Sequence, residues 1–337
     1  MKHVDAQWRV GLLGAGKHGS RYAQHSIHDV EGLTLTAISR RSAAGREQAM
    51  GWGCHWFEDW RDLVAAPAVD CVIAALPPVF NLQVAEACAA AGKPLLLEKP
   101  MATNSADAEA ILAYFEGRGV GLTIGQTLRY NPVIRTLRRC LDGVGVLHGF
   151  TASQRLEPAA LTWLDDPEQA GAGVSLHTAV HVFDALRFIT GREIARVLAQ
   201  SRCVYSRCLE DHLLALVELD NGALGTVDCA KIGPARSGRF EFVGAAAQLH
   251  GDQVHHTAEW IHDMRRKAID PGPLVNTIVP LLTDWLAFLR GQGPNPVPGQ
   301  DGLAAVRIGE ACQRSAATGS WQPIQLPPAN LLERVSV

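Results

Sequence analysis

Between residues 9 and 125, short apolar runs alternate with longer stretches whose apolar residues recur every three to four positions, the pattern of strands joined by crossover helices. Strands are expected at Arg9–Leu13, Leu33–Ser39, Cys71–Ala75, Pro94–Leu97 and Gly121–Gly125. Helices are expected at Gly19–His28, Ala43–Gly51, Phe80–Ala91 and Ser105–Arg118. Strands and helices in this order make a doubly wound parallel sheet. After about Gln126 the rhythm changes, and Val197–Cys203, Leu213–Leu219 and Ala223–Ala230 follow one another through short turns. Asp220-Asn221-Gly222 supplies residues that tolerate positive φ in a hairpin. A last helix is expected over Leu303–Thr318, after the Gly/Pro-rich loop 291–299. The fold class is therefore α/β, divided into residues 1–125 and 126–337, the second part built on an open, mainly antiparallel sheet.

Length agrees with that division, since 337 residues exceed one domain of ~150. Apolar residues make up 47% and charged residues 19%, too hydrophobic a balance for disorder. No apolar run nears the ~18 residues of a membrane span. Thirty-one Lys and Arg against thirty-four Asp and Glu give a net charge of −3, without the basic excess of a nucleic-acid binder. The opening MKHVDAQWRV holds no apolar leader core, so the cytoplasm is the expected location. Cysteines at 54, 71, 88, 140, 203, 208, 229 and 312 form no CxxC pair and read as reduced packing residues.

Three segments carry candidate chemistry. Gly14-Ala15-Gly16-Lys17-His18-Gly19 fits GxGxxG between the strand RVGLL and a helix, the context of a dinucleotide pyrophosphate turn. The second strand ends in Ser39-Arg40-Arg41-Ser42, where an NAD site has a carboxylate for the ribose hydroxyls. A hydroxyl with guanidinium forks suits a 2′-phosphate, so NADP(H) is favoured over NAD(H); a solvated basic loop is the other reading. Leu95-Leu96-Leu97-Glu98-Lys99-Pro100 is a buried-type strand ending at the carboxyl edge of the sheet, which either aims Lys99 into the cleft or leaves it paired with Glu98 at the surface. Finally, Gly171–Gly173 leads into a helix on which His177, His181 and Asp184, spaced i, i+4, i+7, share one stripe. Such histidines act in a site, pack in the core or form a fragment of a metal site; no third ligand is visible, and no metal is expected.

Together these segments resemble the glucose-fructose oxidoreductase, inositol dehydrogenase and rhizopine-catabolism family, Gfo/Idh/MocA. The resemblance adds Leu76-Pro77-Pro78, Ala91-Gly92-Lys93-Pro94, Leu128-Arg129-Tyr130-Asn131-Pro132, Glu210-Asp211-His212 and Ser315–Gly319, and so spans nearly the whole chain. It implies a Rossmann domain followed by an α/β domain whose open sheet carries the substrate site and often packs against another subunit. It further implies hydride transfer at a carbinol carbon, with Lys99 at the reacting hydroxyl and His181 as acid/base. Leu76, Pro77, Asn81, Glu98, Lys99 and Gln126 are then expected around the nicotinamide, Asn81 being either a cofactor contact or purely structural. Arg129, Tyr130, Arg155, Trp163, His177 and His181 are expected around the substrate, Trp163 as a cap or a packing aromatic.

Where relatives have Asp, this chain has His177, which removes an opposite charge and leaves His181 more readily neutral. With Lys99, Arg129 and Arg155 converging, the site would be net positive and the substrate acidic. The expected partners are a small polyhydroxylated molecule and further copies of the chain, as a homodimer or homotetramer. Alternatives are a sensor that binds dinucleotide or sugar without turnover, and a glycoside hydrolase working through transient oxidation.

Overall fold

The computed structural model describes residues 7–158 and 161–325. Its first part runs β1 (Trp8–Leu13), α1 (Gly19–His28), β2 (Leu33–Ser39), α2 (Ala44–Gly51), β3 (His55–Phe57), α3 (Trp60–Ala65), β4 (Cys71–Ala74), α4 (Asn81–Ala90), β5 (Leu95–Leu97), α5 (Ser105–Glu116) and β6 (Leu122–Ile124). These strands form one parallel sheet in the order β3-β2-β1-β4-β5-β6. The order reverses between β1 and β4, and that switch point opens a crevice at the strands' carboxyl ends. Residues 10–13 of β1 and all of β4 and β5 are buried because helices cover both faces. The sequence pattern omits β3 and α3. Three and six residues are too short to show a period, and α3 depends on a local device, the Asp59 carboxylate accepting the Arg61 amide at 2.8 Å.

The second part comprises α6 (Pro132–Cys140), β7 (Leu147–Arg155), α7 (Pro167–Ala170), α8 (Val174–His177), α9 (Ala179–Thr190), β8 (Ile194–Arg202), β9 (His212–Leu219), β10 (Leu224–Ala230), β11 (Ser237–Gly244), β12 (Gln248–Asp252), β13 (Thr257–His262), β14 (Arg265–Ile269), α10 (Ile278–Leu289), α11 (Gly299–Thr318) and β15 (Gln322–Pro323). Its sheet has the order β14-β13-β12-β11-β7-β10-β9-β8-β15, antiparallel except for β7 with β10. Along β9, Leu213, Ala215, Val217 and Leu219 are buried beneath the helices, whereas Leu214 and Leu216 lie exposed on the uncovered face. Gly222, at φ +84°, turns β9 into β10.

Two late helices reconnect the halves. In α10, Ile278, Leu281, Leu282, Trp285 and Leu286 join the core of the first sheet. The start of α11 packs glycines on the first part, Gly299 at Leu122 and Gly302 at Ile124 and Met101, while its end supports β8 through Ser315, whose Oγ accepts the Ala199 amide at 2.8 Å. The first sheet thus ends at Ile124, but chain well beyond residue 126 completes its core.

Candidate active site

The first βα turn is shaped by contacts that exclude side chains. A Cβ at Gly14, which has φ +84°, would lie 2.4 Å from the Ala75 carbonyl oxygen, and one at Gly19 would lie 2.1 Å from that of Gly14. Gly16 differs, since a Cβ there meets nothing within 4 Å. Its bareness serves no internal packing and leaves room for an external group to approach the backbone. With no acidic side chain in the first turn of α1, the fit to a dinucleotide pyrophosphate is physical as well as sequential. The buried Gln126 side chain also has an Oε1 with no hydrogen-bond donor among the described residues.

At the end of β5, the buried Glu98 carboxylate accepts hydrogen bonds from His18 Nε2 at 2.9 Å, from the Tyr22 hydroxyl and from the Lys99 amide at 3.1 Å. Burial acts to raise its pKa, but the His18 bond and charge, the Lys99 charge and the Tyr22 bond outweigh it and hold Glu98 ionised below its ordinary value. This carboxylate ties the glycine turn to the strand end and leaves Lys99 free to point across the cleft. Lys99 Nζ donates to the His177 carbonyl at 3.2 Å. Burial lowers its pKa, with Glu98 opposing.

Across the cleft, α8 and α9 are separate helices. Thr178, at φ −128° and ψ −52°, breaks the backbone between them, so the continuous stripe of His177, His181 and Asp184 is corrected to two short segments. The break lets the His177 carbonyl turn out to Lys99. His177 Nε2 lies 3.0 Å from the Ala170 carbonyl, which only accepts, so Nε2 carries the proton and Nδ1 is a lone-pair site. Burial, then the Lys99 and Lys231 charges, push its pKa down to about 3. The Trp163 ring meets its edge with centroids 5.5 Å apart. His181 is half-buried with an unpartnered Nδ1, and burial followed by the charges of Lys99, His18 and Lys231 holds it well below the ordinary imidazole value. Both imidazoles are neutral at pH 7.

Lys231, directly after β10, was not anticipated from sequence. Its only sequence signal is a lone lysine directly after the expected strand Ala223–Ala230, whose end pairs with the start of the strand that follows Glu210-Asp211. Glu210 was legible only as part of a motif; its carboxylate accepts the Gly173 and Ser175 amides at 3.1 Å and the Ser175 hydroxyl, and so caps α8.

Several expected site residues are engaged elsewhere. Arg129 is corrected from a substrate contact to a buried ion-pair member, bidentate to Asp184 at 2.6 and 2.8 Å and 2.9 Å from Asp301. Tyr130 is likewise no cleft wall; its hydroxyl donates to Asp284 at 2.7 Å on α10. Arg155 lies on the uncovered face of the second sheet, paired with Asp228. The Asn81 amide donates to the Pro100 and Met101 carbonyls at 3.1 and 3.2 Å, so it braces the turn holding Lys99. Leu76 borders the glycine turn at Gly14 and Pro77 follows it, while Ser39 ends β2 and Arg40 and Arg41 follow directly. Among the described residues no three His, Cys, Asp or Glu side chains gather as a metal site.

Residues 8–126 match the model of the GFO/IDH/MocA oxidoreductase family NAD-binding Rossmann fold, and residues 141–326 match its C-terminal alpha/beta domain. The chain belongs to the GFO/IDH/MocA oxidoreductase family. Inositol 2-dehydrogenase 2 of Saccharopolyspora erythraea is 27% identical, covering 95% of this chain and 96% of its own. The rhizopine catabolism protein MocA of Rhizobium meliloti is 26% identical over 90% of this chain and 94% of its own. Among solved structures, an oxidoreductase domain protein from Kribbella flavida aligns with a TM-score of 0.87 at 23% identity, covering 95% of this chain and 100% of its own. Levoglucosan dehydrogenase in complex with NADH and L-sorbose aligns at 0.86 and 19% identity, covering 96% and 100%. Both likenesses show a shared fold. No described helix is long and apolar enough to cross a membrane.

Proposed function

We propose that this GFO/IDH/MocA oxidoreductase moves a hydride between a nicotinamide and a carbinol or carbonyl carbon of a sugar, sugar acid or cyclitol, Lys99 and His181 assisting the proton. The observation that carries this reading is the gathering of one ammonium and two neutral imidazoles beside a glycine turn with room for a pyrophosphate. When bound, the nicotinamide supplies the hydride acceptor or donor. In the oxidation direction, neutral His181 takes the hydroxyl proton while the Lys99 ammonium donates to the oxygen as its negative charge develops. Glu98 fixes the base of the Lys99 segment, and His177 and Trp163 wall the pocket. A fluorescence titration with NADPH and NADH, followed by turnover assays on sugars, sugar acids and cyclitols, tests the reading. Nucleotide binding without turnover on any of them makes the protein a sensor.

His181 provides a pH test. A base whose pKa is depressed stays deprotonated into acid, so the acidic limb of kcat/KM for oxidation is expected below the ordinary imidazole pKa of about 6.5. The charged and titratable groups that set it, after burial itself, are Lys99, His18 and Lys231. His177→Asp introduces a carboxylate, favours the imidazolium and should move that limb to higher pH by about one unit or more. A limb that stays in place in this variant removes His181 as the titrating base.

The cofactor proposed is NADP(H) in preference to NAD(H), bound by residues 14–19, by Ser39, Arg40 and Arg41 at the adenosine ribose, and by Leu76, Pro77, Glu98, Lys99 and Gln126 towards the nicotinamide. Support comes from the close of β2, where no carboxylate stands and Arg41 is exposed, although Arg40 Nη1 already donates to Gln48 at 3.0 Å. Ser39→Asp combined with Arg40→Ala should shift the NADPH:NADH affinity ratio toward NADH by at least about tenfold, the loss expected when charge-assisted bonds to a phosphate go. Unchanged selectivity discards the phosphate pocket. Exposed Leu214, Leu216 and Leu224 on the uncovered sheet face support self-association into a dimer or tetramer.

A further inference from the structure

We propose that Lys231 is the anion-recognising residue of the substrate pocket, and that the substrate is a polyhydroxylated molecule carrying a carboxylate or phosphate group. This rests on the dehydrogenase reading and narrows its substrate class.

The placement of Lys231 follows from a chain of contacts. Its amide donates to the Asp211 carbonyl at 2.8 Å. The preceding residue, Glu210, holds the start of α8 through both its carboxylate and its carbonyl, the latter accepting the Val174 amide at 2.7 Å. That helix ends at His177, whose carbonyl takes Lys99 Nζ. Lys231 therefore shares the cleft with Lys99, and its charge is felt by both His177 and His181.

Nothing in the described protein uses its ammonium. No hydrogen bond or ion pair reaches Lys231 Nζ among the described residues, and the nearby carboxylates are occupied. Glu98 serves His18 and Tyr22, Glu210 serves the α8 amides and Ser175, and Asp211 accepts the amides of Val204, Tyr205 and Ser206. A half-buried ammonium without a hydrogen-bonded acceptor is unfavourable unless a ligand supplies one. Its pKa is pushed down to about 8 by burial and then by Lys99, with Glu210 opposing, so it remains largely charged at pH 7. The expectation of an acidic substrate first drew on Arg129 and Arg155, which the structure removes from the cleft; Lys231 restores the positive charge from an unforeseen position. Lys99 engages the reacting hydroxyl, so Lys231 is the group left for an anion elsewhere on the same molecule.

Matched pairs test this: D-gluconate and D-glucuronate for the carboxylate, D-glucose 6-phosphate for the phosphate, and D-glucose and myo-inositol as neutral counterparts. The wild-type enzyme is expected to favour one acidic arm over the neutral compounds by about tenfold or more in kcat/KM. Lys231→Met should lower that acid-to-neutral ratio on the order of 10–100-fold, the value of a charge-assisted hydrogen bond, and Lys231→Arg should keep most of it. A purely structural lysine would lower acid and neutral turnover together and leave the ratio unchanged, which overturns the proposal. Calorimetric titration of the same compounds reads binding without turnover. If nothing turns over but an acid binds through Lys231, the dehydrogenase reading fails, and with it the substrate claim, while Lys231 stands as the anion-recognising residue of the pocket. If neutral polyols turn over and neither acidic arm is preferred, the reverse holds.

Discussion

Lys99→Met is expected to reduce kcat for hydride transfer by about 10²–10³-fold while nucleotide affinity changes only several-fold. In the proposed mechanism the ammonium stabilises developing alkoxide, because its one hydrogen bond among the described residues, to the His177 carbonyl at 3.2 Å, leaves N–H groups for the substrate. Methionine retains the length of the stem and removes only the charge and the donors. The glycine turn depends on Gly14, Gly19 and the Glu98 contacts to α1, none of which involves the Lys99 side chain. Loss of the positive charge also removes one cause of the depressed His181 pKa, so the residual activity should show its acidic limb at higher pH. Stopped-flow single-turnover rates measure the chemical step, and fluorescence quenching by NADPH measures affinity. Wild-type rates in the variant would remove Lys99 from the chemistry, and equal losses in rate and affinity would make it a cofactor anchor.

The parts of this site that were legible in sequence are those governed by local rules. A glycine turn at a strand-to-helix junction, and a strand ending in Glu98-Lys99-Pro100, announce themselves because period and turn chemistry are short-range. What could not be read was the allocation of polar partners at long sequence separation. Arg129, Tyr130 and Arg155 look like cleft residues until Asp184, Asp284 and Asp228 claim them, at separations of 55, 154 and 73 positions. The same limitation hid Lys231, whose significance arises only when the hairpin of β9 and β10 delivers it beside Glu210. It also hid the break at Thr178, where a helical period continues through residues whose backbone does not. The α10 helix was not among the helices expected from sequence, and its apolar residues gave no sign that their partner is the first sheet.

Arg129→Met is expected to destabilise the fold by about 3–5 kcal/mol at pH 7, the range measured when one member of a buried pair is removed. Arg129 is buried against Asp184 and Asp301; Asp301 is shared with Arg187, whose guanidinium also grips Glu193 at 2.6 and 2.9 Å. Asp301 keeps Arg187 in the variant, but Asp184, fully buried, loses both its hydrogen bonds. Burial raises the Asp184 pKa even with Arg129 present, and without it the rise should be larger. A carboxyl whose folded pKa lies above its unfolded value imposes no penalty below the unfolded value and a growing one as pH rises towards the folded value. The stability gap between wild type and Arg129→Met should therefore narrow in acid, as Asp184 takes up a proton. Asp184→Leu added to Arg129→Met replaces the pair with apolar groups and should recover most of the loss. Urea denaturation of both variants across pH decides it, a single-variant loss below about 1 kcal/mol ruling out the network as a structural anchor. The consequence reaches the chemistry, because Asp184 lies on α9 three residues after His181. The buried charges tie the helix that carries His181 to the segment after β6 and to α11, so under the proposed mechanism Arg129→Met should lower kcat at temperatures where the protein is still folded.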